Sequence, residues 1–94
     1  MKLTSMQVSR TLRQFEARAI PENHPIIPQL NGLFGEHTYF LNHNGLSILE
    51  PVDAAGVVPR SARIVNLANW SDDAPIGLEP HAPEATDVVI RLRH

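Results

Sequence analysis

The first apolar pattern in the chain predicts an amphipathic helix over residues 5–19. Thr4 and Gln7 have the spacing of a capping box, in which each side chain accepts a hydrogen bond from the backbone of the other. Four apolar residues then recur at helical spacing and form one stripe: Val8, Leu12, Phe15 and Ala19. Pro21 is expected to stop the helix, because the residue before a proline avoids the helical region.

A second, shorter apolar segment predicts one or two helical turns near residues 26–33. Pro25 and Pro28 fit a first helical turn, where a missing N–H has no intrahelical partner to lose. Gly35 is the expected C-cap. The apolar side of this helix would be formed by five residues: Ile26, Ile27, Leu30, Leu33 and Phe34.

Two β-prone runs flank Asn44-Gly45, the pair that best suits a type I′ hairpin turn. With these two residues as the loop, the predicted cross-strand pairs are His43 with Leu46, Leu41 with Ile48, and Tyr39 with Glu50. One face carries these side chains and is expected to pack on the N-terminal helix. The other face still carries Phe40 and Leu49, so both faces of the hairpin are partly apolar.

Strands are predicted at residues 37–43, 46–52, 62–69 and 87–93, with connections at 53–61 and 71–86. The last connection is long for a compact domain, which is typical of functional or disordered loops. The predicted fold is α+β: an N-terminal amphipathic helix packed on a mostly antiparallel four-stranded sheet that contains the Asn-Gly hairpin. We expect residues 1–94 to form a single small α+β domain.

Composition and charge exclude several functional classes. The chain has no cysteine, so disulfides, cysteine-based zinc sites and thiol nucleophiles are excluded. Its net charge is −2, which opposes nucleic-acid binding through Arg10 and Arg13 or through Arg91 and Arg93. No apolar run is long enough to cross a membrane, and the N-terminal residues lack the apolar core of a signal peptide. We expect a cytoplasmic protein.

Residues His37, Tyr39 and Glu50 form the best candidate cluster for chemistry or ligand binding. A histidine beside a carboxylate can be tuned for proton transfer, but such cross-strand neighbours are also common in ordinary sheets. No nucleophile elbow, phosphate-binding loop or zinc-ligand spacing is present. A loop site built from Asp72, Asp73, Glu79 and His81 has no recognised ligand spacing either. No catalytic, cofactor-binding or metal-binding residue is therefore assigned, and no cofactor is expected.

Two functional hypotheses follow from the pattern. The first is a small non-enzymatic protein that acts through protein–protein contact, as a homodimer, because one helix can cover only one face of an apolar ribbon. The alternative within that reasoning is that the short helix and the long loop cover the second face. The rival hypothesis is a small-ligand-binding or minor enzymatic domain with a pocket near His37, Tyr39 and Glu50.

Overall fold

The computed structural model describes residues 1–52, 60–72 and 77–92. The fold is α+β, with two helices and a five-stranded antiparallel sheet in the order β1-β2-β3-β4-β5. In chain order the elements are α1 (Ser5–Gln14), β1 (Arg18–Ala19), α2 (Ile27–Phe34), β2 (Phe40–Asn42), β3 (Gly45–Pro51), β4 (Ser61–Trp70) and β5 (Leu78–Arg91). The prediction of four strands is therefore one strand short, since the brief strand β1 was missed.

The N-terminal helix begins as predicted but ends early. Thr4 is the N-cap, and the capping box with Gln7 is formed in both directions. The helix ends at Gln14 rather than at residue 19, because the chain then extends and pairs Arg18 and Ala19 with β2. Strand pairing thus prevails over the helical spacing of the apolar residues.

The β2–β3 hairpin reverses one residue earlier than predicted. Asn42 is paired with Gly45, so the turn consists of residues 43–44 and the type I′ turn on Asn44-Gly45 is wrong. The Asn44 N–H donates to the Asn42 side chain, an Asx turn that starts the reversal before the glycine. Leu41 pairs with Leu46 instead of Ile48, a change that keeps each side chain on its predicted face.

Gly45 is required for a different reason than the one predicted. Its φ is +123°, and a Cβ placed on it would lie 2.0 Å from the Ala68 carbonyl oxygen of β4. The glycine therefore allows β3 to begin in close contact with the backbone of β4.

The predicted loop 71–86 is wrong from Leu78 onward, where β5 begins. Prolines and irregular spacing hid this strand, whose register against β4 shifts twice. The Thr86 hydroxyl donates to the Ile64 carbonyl at one irregularity, and His81 contacts Asn66 at the other. Most of the predicted connection 53–61, together with residues 73–76 and 93–94, lies outside the described residues.

Each face of the sheet has its own core. On the α1 face, Val8 and Phe15 pack against a cluster that includes Phe40, Leu49 and Ile90. On the α2 face, Ile27 and Leu30 belong to one cluster with Tyr39, which directly precedes β2, and with five strand residues: Leu46, Ile48, Val65, Leu67 and Ala68. The prediction that the N-terminal helix packs on the Tyr39 face of the hairpin is therefore wrong. Helix α1 covers the Phe40 face, and α2 covers the Tyr39 face.

Candidate functional site

His37, Tyr39 and Glu50 do come together, but by another register than predicted. His37 Nδ1 lies 4.0 Å from Glu50 Oε1, and the rings of His37 and Tyr39 meet edge to face at 5.9 Å. The β2–β3 register, extended past its last pair, sets His37 rather than Tyr39 opposite Glu50. We call these three residues the His37 cluster.

The polar groups of His37 and Tyr39 contact other groups of the same chain. The Tyr39 hydroxyl lies 2.6 Å from the Gly35 carbonyl and 3.1 Å from the Leu30 carbonyl, and its ring is fully buried. His37 Nε2 is 3.0 Å from the Phe34 carbonyl, and its Nδ1 contacts the amino group of Met1. These contacts attach the C-terminal end of α2 to the sheet, so we interpret the cluster as an anchor for the helix.

Burial shifts the proton affinities of this cluster. Desolvation and then the positive amino group of Met1 lower the pKa of His37 below its usual value, although Glu50 and the Phe34 carbonyl act in the opposite direction. Burial likewise lowers the pKa of the Met1 amino group and raises the pKa of the Tyr39 hydroxyl. Both shifts favour the uncharged forms of the His37 and Tyr39 side chains.

An apolar cavity lies on the α2 face, at the end of β2 that is away from the His37 cluster. It has a volume of about 330 Å³ and lies between β1, the start of α2, and the β2–β3 hairpin. Its walls are mainly aliphatic: Ala19, Ile20, Pro21, Ile26, Leu30, Leu41, Leu46 and Leu78. We call it the apolar pocket, and its size is at the lower end of the range of small-molecule sites.

Two basic side chains stand at the apolar pocket. Arg18 is exposed, pairs across the sheet with Leu41, and makes no side-chain hydrogen bond or ion pair with any described residue. His24 accepts from the Ile26 N–H through Nδ1, which places the proton of a neutral ring on Nε2 as a free donor. No acidic residue is among the described residues that line this cavity.

A second cavity, the polar groove, opens on the α1 face beyond the C-terminal end of α1. It has a volume of about 290 Å³ and a lining rich in amide and hydroxyl groups: Asn42, Asn44, Ser47, Asn66, Asn69, Glu84 and Thr86. Phe15, Ile64 and Val88 form its apolar walls. Neither cavity was predicted from the sequence. The signal that could have indicated them is the alternation in Leu41-Asn42 and Leu46-Ser47, where the leucines line the apolar pocket and the polar residues line the polar groove.

The outer edge of β5 is partly blocked. Gln14 donates to the Arg91 carbonyl at 2.7 Å and accepts from the Arg91 N–H at 2.8 Å, so a side chain of α1 occupies the backbone groups of the edge. Nearby, Val88 is 40% exposed and Val89 is 43% exposed. The edge therefore has a closed end at Arg91 and an open apolar stretch just before it.

The other predicted sites find little geometric support. One guanidinium nitrogen of Arg10 donates to the Leu92 carbonyl, 2.7 Å away, so part of the arginine side of α1 contacts the residue that follows β5. Among the described residues, no group of three or more His, Asp or Glu side chains is placed to hold a metal ion. Asp73 of the proposed loop site lies outside them. No helix in the described part of the chain has the length and apolar content needed to cross a membrane.

Comparison with known proteins identifies no family for this chain. The chain matches no protein-family model, no curated protein and no solved structure. The function is therefore argued from the cavities themselves.

Proposed function

We propose that this chain is a non-enzymatic binding domain whose apolar pocket takes a small amphipathic carboxylate. The observation that carries the proposal is the guanidinium of Arg18, which has no partner among the described residues and stands at an aliphatic cavity whose described lining contains no acidic residue. An arginine can pair with a carboxylate through two parallel hydrogen bonds, and the aliphatic walls would take the hydrocarbon part of the same molecule.

The burial of residues at the base of the apolar pocket indicates that the cavity is formed before a ligand binds. Leu30 and Leu46 at its base are 5% and 1% exposed and belong to the core of the α2 face. The anchor at Tyr39 fixes the C-terminal end of α2, which limits how far the helix can move over the pocket. A cavity held by core residues loses little conformational entropy when it is filled.

The test is a ¹H–¹⁵N NMR titration with octanoate, octanol and octylammonium. Octanoate is expected to shift the amide signals of Ile20, Leu41 and Leu46, and to bind more tightly than octylammonium. Arg18→Gln should weaken octanoate by about 2- to 5-fold, which is the usual contribution of an exposed ion pair, and leave octanol unchanged. Arg13→Gln, which changes an equally exposed arginine on α1, is the matched control.

Two outcomes would count against this function. If neither octanoate nor octanol perturbs the pocket signals, the cavity is not a binding site. If Leu41→Trp, which adds bulk to the pocket wall, leaves octanoate binding unchanged in a folded protein, the ligand lies elsewhere.

A second candidate function is protein–protein contact as a homodimer in the cytoplasm. Each helix covers part of one sheet face, and this proposal uses the open stretch of the β5 edge. The exposed Val88 and Val89 favour it, and the acid Asp87 opposes it.

Sedimentation equilibrium tests the homodimer directly. A dimer would have twice the 10.4 kDa mass of the chain and should dissociate in Val89→Lys but not in Val52→Lys, which alters an exposed valine outside β5. A protein that stays at 10.4 kDa throughout the micromolar range would remove this candidate.

A further inference from the structure

The polar groove is lined by the hydroxyl of Ser47, a buried residue whose side chain has no hydrogen-bond partner among the described residues. The residue is 3% exposed, and its backbone pairs with Phe40 on one side and Asn66 on the other, so its position is fixed by two strands. A hydroxyl that lines a cavity is a donor and acceptor held ready for a ligand.

The wall beside Ser47 is held rigidly. Asn66 is 8% exposed and donates to the carbonyls of Leu46 and Ala68, at 3.2 and 3.3 Å. Its side-chain oxygen accepts from Asn69 at 3.1 Å and contacts His81 Nε2 at 2.5 Å. Asn69 also donates to the Asn44 carbonyl, which connects the wall to the hairpin turn. The groove is therefore preorganised by a hydrogen-bond network, and its shape does not depend on a ligand.

The remaining lining groups define the chemistry that the groove can bind. The side chains of Glu84 and Asn44 are exposed and form no hydrogen bond with any described residue, while the Phe15 ring forms an apolar side. No lysine or arginine is among the described residues that line the groove, and a carboxylate is, so an anion would be repelled. The groove combines neutral donors and acceptors with a flat apolar surface.

We propose that the polar groove binds a neutral polyhydroxyl compound of monosaccharide size. Ser47 and Asn44 hydrogen-bond its hydroxyl groups, Glu84 accepts from one of them, and the C–H face of the ring packs on Phe15. This site is independent of the apolar pocket, because the two cavities lie on opposite faces of the sheet and share no lining residue.

The experiment is an NMR titration of the whole chain with D-glucose, D-galactose and myo-inositol, with glucosamine and glucose 6-phosphate as charged comparisons. At least one neutral polyol is expected to shift the amides of Ser47, Asn66 and Thr86. Ser47→Ala should weaken it by about 2- to 10-fold, the usual value of one hydrogen bond, and should stay folded because the hydroxyl has no partner to lose. Ser9→Ala, an exposed serine of α1, is the matched control.

Four results would each overturn the proposal. Groove signals that respond to none of the three polyols exclude this ligand class, and binding of glucosamine alone, abolished by Glu84→Gln, assigns the groove to cations. Binding of glucose 6-phosphate alone would contradict the electrostatic argument. Equal affinity in Ser47→Ala and the parent chain would show that the Ser47 hydroxyl is not used.

Discussion

The two open regions of the sheet differ in chemistry although the same strands build them. Leu41 and Leu46 line the apolar pocket on the α2 face, and their neighbours Asn42 and Ser47 line the polar groove on the α1 face. Side chains of consecutive strand residues point to opposite faces, so one hairpin can serve two unlike surfaces. An apolar residue on each face of a ribbon therefore does not by itself indicate a partner chain.

The covered regions differ as well. The α1 face is closed by α1, which contributes Val8, and by Phe15, which directly follows the helix. The last residue of the helix, Gln14, hydrogen-bonds the edge of β5. The α2 face is closed by a short helix that is attached through buried polar contacts of Tyr39. The first helix is held by apolar packing and by the Gln14 contacts with the edge of β5, and the second by apolar packing together with hydrogen bonds to carbonyls within the helix and at its C-cap.

Gly45→Ala should have the largest effect, because it disrupts the end of the sheet that both cavities share. The added Cβ would lie 2.0 Å from the Ala68 oxygen at a φ that favours glycine, so we expect a loss of at least about 4 kcal/mol in the free energy of unfolding. Gly32→Ala is the control, since no atom lies within 4 Å of its Cβ position and alanine favours a helix. Chemical denaturation measures both, and equal stabilities would contradict the described approach of β3 to β4.

Ile48→Ala and Leu49→Ala compare the two cores through neighbouring residues. Ile48 is 4% exposed on the α2 face and Leu49 is fully buried on the α1 face. Each substitution should cost about 2–5 kcal/mol in urea denaturation, as is usual for buried aliphatic side chains. A cost below about 1 kcal/mol for either residue would mean that its face is not covered in the isolated chain.

Tyr39→Phe separates the polar attachment of α2 from its apolar packing. The variant keeps the ring and loses the hydroxyl that lies between the Gly35 and Leu30 carbonyls, so we expect a loss of about 1–2 kcal/mol. Hydrogen exchange should increase in α2 more than in α1. Unchanged exchange in α2 would show that the hydroxyl does not hold the helix.

Gln14→Ala tests the edge clamp on the α1 side. Removing two hydrogen bonds to Arg91 should cost about 1 kcal/mol and leave backbone groups of β5 free to pair with another chain. Sedimentation velocity should therefore detect more self-association than in the control Gln29→Ala, an exposed glutamine of α2. If both variants sediment alike, the clamp does not protect the edge.

The pH dependence of His37 is the smallest expected effect. Because its folded-state pKa is lowered, chiefly by desolvation, the unfolded chain binds more protons just below the usual histidine pKa. The stabilisation is fully present above that usual value and is lost as the pH falls through the folded-state pKa. Denaturation at several pH values should show a smaller decrease in His37→Gln than in the control His43→Gln, and identical profiles would contradict the assignment.

The elements set by local interactions were predictable from the sequence. The capping box at Thr4, the C-cap at Gly35 and the facing of Leu46 and Leu49 depend on residues close in the chain, and all three are found. The end of α1 was not predictable, because it is decided by pairing with β2. The hairpin register depends on the Asn42 side chain, whose Asx turn competes with the Asn-Gly signal.

The candidate sites show the same distinction between features set by residues close in the chain and features set by distant residues. The His37 cluster was identified because its residues lie on one ribbon, within reach of a hairpin argument. The apolar pocket joins Arg18 and Leu30 to Leu78, and the polar groove joins Phe15 to Ser47 and Glu84. Predicting such combinations of residues requires the order of the strands and the positions of both helices. The periodicity of one segment gives neither.

The most direct test of the central claim, that one chain covers both faces of its own sheet, is an isotope-filtered NOE experiment on mixed labelled and unlabelled protein. We expect contacts of Leu30 with the strand residues of its cluster, and of Val8 with the strand residues of the other cluster, only within a labelled chain. If either set of contacts appears between a labelled and an unlabelled chain, a second copy covers that face, and the monomer with two covered faces is contradicted.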